Sequence, residues 1–400
     1  MFYCCALLRN VVSFGYRKPY GDEIGMLSFS LTPKLEKELI KLQSKITVIW
    51  TNLESVSIDE ANYLQHQALI STIGASTRIE NAVLTDQEVE WVDTTLSEDG
   101  KTTAFEEKKH FIIDKLSKDR ERSIEEVAGC REMLHTIYQQ ARDFLPLTET
   151  HIRGLHNQLL RYYPPAAQYI GNYKTSPNKV VAINHATGQK HTVLNPAEPG
   201  MINETAMADL VSWYNITQEE SPWSILVAIE FVFRFLAIHP FQDGNGRLGR
   251  GLFLLALMHS DDPALQGLSP LISIDRQIEK KKTQYYTVLH QCSNGNFSSD
   301  PSAYDYFPIV RFLIRVVDEA LMDVTFYRTR YENFINLSES ALIVLKSFKA
   351  SPERRLKVIE LEDTTSLPRR TIQYNLKNLT EKGFLQRLGS GAGSRYQLIF

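Results

Sequence analysis

Between His239 and Arg250 the chain reads His-Pro-Phe-Gln-Asp-Gly-Asn-Gly-Arg-Leu-Gly-Arg. This short run holds a proton acceptor, a hard oxygen ligand, a glycine-rich anion loop and two guanidinium groups. His239 titrates near neutrality in its ordinary state and suits general-base work, a contribution of about a hundred- to ten-thousand-fold in rate. Asp243 suits a magnesium ion that keeps most of its waters. Gly244 and Gly246 permit positive φ and leave backbone amides open to a phosphate. Arg247 and Arg250, three apart on a helix, share a face and can both fork onto phosphate oxygens. Together the parts fit a nucleoside triphosphate carrying magnesium, and their order suits nucleotidyl transfer onto a hydroxyl.

Two helices must position this run. Residues Trp223 to Ile238 are almost wholly apolar, interrupted by the charged Glu230 and Arg234, which predicts a helix buried on most sides. Pro240 disfavours helical geometry at His239 and ends that helix there. Gly246 to His259 is apolar and helical again, so Asp243-Gly244-Asn245-Gly246 falls at a helix N-terminus, where free amides and the positive end of the dipole attract anions. A calcium loop is the nearest rival, but Leu248 stands where its glycine belongs and Leu254 where its glutamate belongs. A Walker-type loop fails because no Gly-Lys-Ser/Thr follows the glycines.

The run resembles, at every defined position, the signature of Fic-domain proteins, His-Pro-Phe-x-Asp/Glu-Gly-Asn-Gly-Arg-x-x-Arg. That resemblance implies a mainly α protein, an all-helical Fic core with a small β-hairpin flap. The activity it implies is transfer of AMP from ATP to a Ser, Thr or Tyr hydroxyl of a target protein. His239 would be the base and Asp243 the Mg2+ ligand, with nucleotide contacts from Gly244, Asn245, Gly246, Arg247, Leu248, Gly249 and Arg250. Other Fic proteins move different phosphate-containing groups, so the motif leaves the transferred group open.

Upstream, Ser76-Thr77-Arg78-Ile79-Glu80-Asn81 resembles the family's inhibitory pattern, Ser/Thr-x-x-x-Glu-Gly/Asn, at the end of a helical stretch from about Asp59. Read without the family, it is an ordinary helix end with Asn81 as cap. The resemblance implies that Ser76 and Glu80 form an inhibitory element and that Glu80 bonds Arg250, blocking the outer phosphate. Holding such a site about 99% closed needs roughly 2.7 kcal/mol, and an exposed ion pair supplies only about 0–1 kcal/mol. The pair must therefore be largely buried or receive help from Ser76 and the helix packing. In some relatives this glutamate also supports removal of AMP, so a bifunctional enzyme is a further reading.

Between the motifs, Lys179 to Ile183 and Lys190 to Leu194 read as two strands joined by a turn from Asn184 to Gln189. Their place matches the family's flap, in which Val180, Val181, Ala182 and Ile183 would hold a target segment by adding a strand; a plain hairpin packed on helices is the alternative. Farther on, Tyr285-Tyr286 and Asn294 resemble a tyrosine pair and an asparagine near the adenine in relatives, with Tyr285 and Asn294 as the nucleotide contacts.

The C-terminal part is a different unit. Glu339 to Ala350 and Arg354 to Leu361 read as helices, and a third starts at Ser366-Leu367-Pro368, with serine as cap and proline in the first turn. Its apolar face is Ile372, Leu376 and Leu379, and Arg370, Tyr374 and Lys377 form an exposed stripe opposite. Phe384 to Leu388 and Arg395 to Ile399, joined by a glycine-serine turn, complete a pattern that resembles a winged helix-turn-helix, whose third helix enters a DNA major groove. From Ser351 to Phe400 nine basic residues face five acidic ones, a net of +4, against −3 for the whole chain. That surplus is compatible with DNA and equally with a protein-interaction module.

The divisions expected are an N-terminal extension over 1–30, a helical region with the inhibitory helix over 31–120, the catalytic core over 121–332 and the winged unit over 333–400. Cys4, Cys5, Cys130 and Cys292 show neither metal spacing nor a disulfide framework, which points to a reducing cytoplasm. No run is a convincing membrane span or signal peptide. Met26 reads as an alternative start, and the charge run Glu279 to Lys282 as a solvated helix face. The sequence is equally compatible with a monomer and a homodimer. Two functions follow: a self-inhibited protein adenylyltransferase localised or regulated by its winged helix, or a DNA-binding regulator whose Fic core senses ATP. The intact His239 favours the first, because a pure sensor has no use for a base.

Overall fold

The computed structural model describes residues 26–97, 104–183 and 190–399. In chain order the helices are α1 (Pro33–Leu53), α2 (Ile58–Ile79), α3 (Asp86–Leu96), α4 (Phe105–Leu116), α5 (Glu121–Gln140), α6 (Glu149–Leu160), α7 (Met201–Glu220), α8 (Ser224–Ile238) and α9 (Asn245–Met258). They continue as α10 (Pro263–Leu268), α11 (Ile274–Lys280), α12 (Lys282–Ser293), α13 (Phe307–Ile335), α14 (Glu339–Lys349), α15 (Val358–Thr365) and α16 (Arg369–Glu381). Two antiparallel hairpins are the only sheets among the described residues: β1 (Val180–Ile183) with β2 (Lys190–Leu194), and β3 (Leu385–Leu388) with β4 (Arg395–Leu398).

Helix α8 is the axis of the larger unit. Every residue from Ile225 to Ile238 is buried, so packing on all sides fixes where the chain leaves it at His239. Glu230 is tolerated there because Ser28 donates to it from both its amide and its hydroxyl, and Arg234 lies along the same helix, over the Trp213 ring. Helix α2 starts at Ser57, whose hydroxyl accepts from Glu60 N, and is buried over most of its second half, from Gln67 to Thr77. One continuous apolar core runs from Leu35 on α1 to Tyr327 on α13, so residues 31–120 and 121–332 share it.

A second core, from Leu337 to Leu398, holds the C-terminal unit together, with Ile372, Leu376 and Leu379 of α16 fully buried as expected. Two expectations there are corrected. The second helix begins at Val358, not Arg354, because Leu356 exchanges backbone bonds of 2.9 and 2.8 Å with Tyr396 and is committed to the hairpin. Ser366 caps the end of α15 in a left-handed conformation (φ 56°) and leaves the start of α16 without a side-chain cap. The unit is tied to the rest through Arg330 on α13, which donates to Gly383 O and Ile399 O, and through Lys349 to Glu90 at 2.8 Å.

The charge run over 279–282 is not a freely solvated face: Glu279 pairs with Arg78, Lys281 with Glu319, and Lys282 donates to Asn81. Cys130 and Cys292 are free and buried. No helix among the described residues is long and apolar enough to cross a membrane. The expected N-terminal extension up to residue 25 and the flap turn over 184–189 lie outside the described residues.

Candidate active site

A cavity of about 330 Å³ opens between the end of α2, the α8–α9 loop, the β1–β2 hairpin and α12. His239, Asp243, Gly244, Asn245, Gly246, Arg247, Arg250, Glu80, Val180, Val181, Tyr285 and Tyr286 all line it. Residues chosen from four separate stretches of sequence thus meet at one place.

His239 caps α8 in the left-handed region, at φ 51°. Its own amide still donates to Phe235 O, and Nδ1 lies 3.3 Å from Leu236 O. With the Nδ1 proton spent on that carbonyl, the tautomer leaves Nε2 as acceptor. Burial first, then the Lys174 ammonium, pull its pKa down from the usual imidazole value to about 4, so His239 is neutral at pH 7.

The loop after it is held by side chains rather than by its own turn. The Asn245 amide group brackets Phe241, accepting from its N–H at 2.9 Å and donating to its carbonyl at 2.7 Å. Asn178 donates to the same carbonyl at 2.9 Å. His156 stacks on the Phe241 ring, centroids 3.9 Å apart, and its Nδ1 accepts from Gly171 N, so Nε2–H donates to Asp243 O at 3.0 Å. Asn245 therefore contributes its backbone amide to the cavity, while its side chain builds the loop.

Gly244 has φ 80° and supplies no side-chain cap to α9. The first bond inside that helix runs from Leu248 N to Gly244 O, which leaves the amides of Asn245, Gly246 and Arg247 ahead of it as an anion nest. Gly246 needs to be glycine for another reason than the positive φ expected. It is helical, and a Cβ there would stand 2.3 Å from Glu80 Oε1. Leu248 and Gly249 face the other way: Leu248 is fully buried and Gly249 packs on Leu236, so neither lines the cavity.

The two arginines diverge. Arg247 is 3% exposed, lies 3.6 Å from Asp243 and 3.8 Å from Glu126, and keeps Nε and Nη1 without hydrogen-bond partners. Buried unmet donors on a cation, beside an amide nest, are what an oxyanion would satisfy. Arg250 is fully engaged: Nη1 meets Glu80 Oε1 at 3.0 Å, Nε the Ser76 hydroxyl at 3.0 Å, Nη2 the Ser76 carbonyl at 2.7 Å, and Asp275 lies 2.9 Å from Nε. Glu80 is the C-cap of α2, and Asn81, at φ 73°, takes the left-handed position after it.

Asp243 is the one carboxylate of the loop; its Oδ1 accepts from Gly244 N at 2.6 Å, and its side chain is 40% exposed to the cavity. No cluster of three or more His, Cys, Asp or Glu side chains able to hold a metal occurs among the described residues. A lone exposed carboxylate fits magnesium, which takes its other ligands from water and phosphate.

The hairpin has the expected strands, Val181 opposite Thr192 and Ala182 opposite His191, and among the described residues its two-stranded sheet leaves the far edge of β1 unpaired. Val181 is 40% exposed and Val180 and Ala182 half-buried; Ile183 closes β1. Tyr285 is buried and lines the cavity, whereas Asn294 is an exposed left-handed cap of α12 outside it. Arg370, Tyr374 and Lys377 are all exposed on α16, remote from the cavity. Sequence reasoning missed His156, Lys174, Asn178, Glu126 and Asp275. Each lies far along the chain from the loop it serves, and no local pattern marks it.

Residues 146–257, from the start of α6 to near the end of α9, match the Fic/DOC family. Protein adenylyltransferase fic-1 of Caenorhabditis elegans is 26% identical over 148 residues, 37% of this chain and 25% of the relative. Its Caenorhabditis briggsae counterpart is 27% identical over 153 residues, 38% of this chain and 26% of the relative. The matched stretch spans about a quarter of the length of these curated relatives. A Fic family protein from Desulfovibrio desulfuricans has a TM-score of 0.53 at 22% identity, over 94% of this chain and 98% of that one. A Fic domain-containing signalling protein from Bacteroides thetaiotaomicron has a TM-score of 0.52 at 25% identity, over 72% of this chain and 97% of that one. Residues 146–257 thus match the Fic/DOC family, and the chain as a whole has the all-helical fold of the solved Fic structures.

Proposed function

We propose that the protein is an adenylyltransferase that moves AMP from ATP onto a Ser, Thr or Tyr hydroxyl of a target protein, and that Glu80 inhibits it in the resting state. One observation carries the reading: a neutral His239 with Nε2 free shares a cavity with an amide nest and a buried arginine, Arg247, whose Nε and Nη1 lack hydrogen-bond partners. In the reaction the target hydroxyl oxygen bonds to the α-phosphorus of ATP and its proton passes to His239 Nε2. The bond between the α-phosphorus and its bridging oxygen breaks, and diphosphate leaves. The amides of Asn245, Gly246 and Arg247, with the Arg247 guanidinium, hold the phosphates in line. Asp243 would hold magnesium, which when bound offsets phosphate charge. The unpaired edge of β1 offers backbone bonds to an extended target segment.

Glu80 occupies Arg250 Nη1 and overlies Gly246, where an outer phosphate would sit. A second reading rests on α16: its exposed Arg370, Tyr374 and Lys377 suit a DNA major groove, with the Fic core as an ATP sensor.

The deciding experiment is incubation with labelled ATP and magnesium, scored as label on the protein itself and on lysate proteins. Glu80→Gly should label strongly, wild type weakly and His239→Ala not at all. Equal labelling by wild type and Glu80→Gly sinks the inhibitory role, and no labelling by any of them favours the sensor.

A further inference from the structure

Lys174 is a buried cation that the chemistry above does not use. Its residue is 3% exposed, and no carboxylate pairs with it among the described residues. Nζ donates to Ile238 O at 3.3 Å, at the C-terminal end of α8, and to Asn178 Oδ1 at 3.0 Å. Its backbone N–H donates to Pro240 O at 2.9 Å, and Asn178 carries the contact on to Phe241 O. These bonds reach the residues on either side of His239, so the ammonium is fixed beside the imidazole's own stretch of chain.

We propose that Lys174 is a positioning residue for His239: its ammonium, seated against the end of α8, disfavours an imidazolium there and holds the imidazole in its neutral form until substrate is bound. The inference rests on His239 being the base of the proposed reaction.

An unpaired buried ammonium is costly, and a neutral donor would serve the same two oxygens. The carbonyl end of the α8 dipole offsets part of that cost. Desolvation lowers the Lys174 pKa to about 8, against a pull upward from Glu198, so the side chain is still mainly charged at neutral pH. Around His239 the charges conflict: Glu80 at the end of α2 and Asp243 in the loop favour an imidazolium, and Lys174 opposes them. Repulsion runs one way, because His239 is already neutral at the pH where Lys174 titrates.

The test separates charge from hydrogen bonding. In the full-length chain without nucleotide, the His239 ring proton resonance, assigned by its loss in His239→Gln, is followed against pH. Lys174→Gln keeps a donor and loses the charge, Lys174→Met loses both, and Lys174→Arg keeps the charge. The expected result is a His239 titration moved to higher pH in Lys174→Gln and Lys174→Met, and restored by Lys174→Arg. A wild-type titration in folded Lys174→Gln overturns the proposal. In the Glu80→Gly background the acid limb of kcat/KM should shift the same way. A shifted titration without any transfer would count against the proposed function and still support the role of Lys174.

Discussion

Glu80 and Arg250 meet at 3.0 Å on unequal terms: the Arg250 side chain is 3% exposed, and that of Glu80 31%. Arg250 also donates to both oxygens of Ser76 and lies against Asp275, whereas the Glu80 carboxylate has Arg250 as its only hydrogen-bond partner among the described residues. The arginine is therefore held ready whether or not the carboxylate is there.

That asymmetry predicts different costs for the two ends of the pair. Glu80→Gly should lose about 1 kcal/mol or less of stability, since it removes a half-exposed partner. Arg250→Ala strands the buried Asp275 carboxylate and should lose about 3–5 kcal/mol. Urea unfolding of both variants decides, and equal losses would contradict the unequal anchoring.

Gly246→Ala tests the close approach of Glu80. The new Cβ would lie 2.3 Å from Glu80 Oε1, the far end of a flexible side chain, which must swing away. Alanine otherwise favours a helix over glycine by about 0.8–1 kcal/mol. A double-mutant cycle should show Gly246→Ala more favourable to thermal stability in the Glu80→Gly background than in wild type, by about 0.5–2 kcal/mol. Simple additivity would mean that the two residues do not press on each other.

His156 touches no substrate in the proposed reaction, yet it holds Asp243 O and the Phe241 ring. His156→Ala should lower kcat of the Glu80→Gly enzyme by ten-fold or more, about 1.4 kcal/mol, through a displaced loop. The protein should stay folded by circular dichroism. Unchanged kcat would show that Asn245 and Asn178 suffice to hold the loop.

Acid should destabilise the fold through its buried histidines. Burial depresses His156, His239 and His259 to about 4. Between about pH 6.5 and 4 the unfolded chain binds protons at these positions and the folded chain does not. Their stabilising contribution is complete above pH 6.5 and is lost as pH falls toward 4. The melting temperature should drop over that window, and His259→Gln should make the drop shallower. An unchanged slope in that variant, where His259 otherwise links Tyr214 OH and Ala141 O, would contradict the assignment.

The α16 stripe is tested apart from the cavity. The double substitution Arg370→Glu and Lys377→Glu should abolish salt-dependent binding to duplex DNA and leave ATP-dependent labelling unchanged. Absence of a mobility shift with wild type at low salt would turn the reading toward a protein partner.

The grouping of the residues from His239 to Arg250 was legible in sequence because it is local. His239, Asp243 and the amide nest are joined by one helix exit and one helix start, and Pro240 and the glycines dictate both. The hairpin strands and the buried face of α16 were equally plain, because alternation and helical spacing are properties of short windows. Helix starts were less so: Arg354 and Ser366 carry helix-compatible signals, but pairing of Leu356 with Tyr396 and a left-handed turn at Ser366 overrode them.

By itself the sequence determined which groups are present and that a Ser76–Glu80 element resembles an inhibitor of this kind of site. Only the tertiary structure decided what each group touches. It turned Arg250 toward Glu80, Ser76 and Asp275, left Arg247 with unmet donors, and placed Leu248 and Gly249 in the core. It made Gly246 a matter of clearance instead of backbone freedom, and it set His156 and Lys174 around the loop from distant helices and turns. The reason is physical: burial and contact across tens of residues depend on how helices pack, and that packing leaves no mark in the spacing of any one segment.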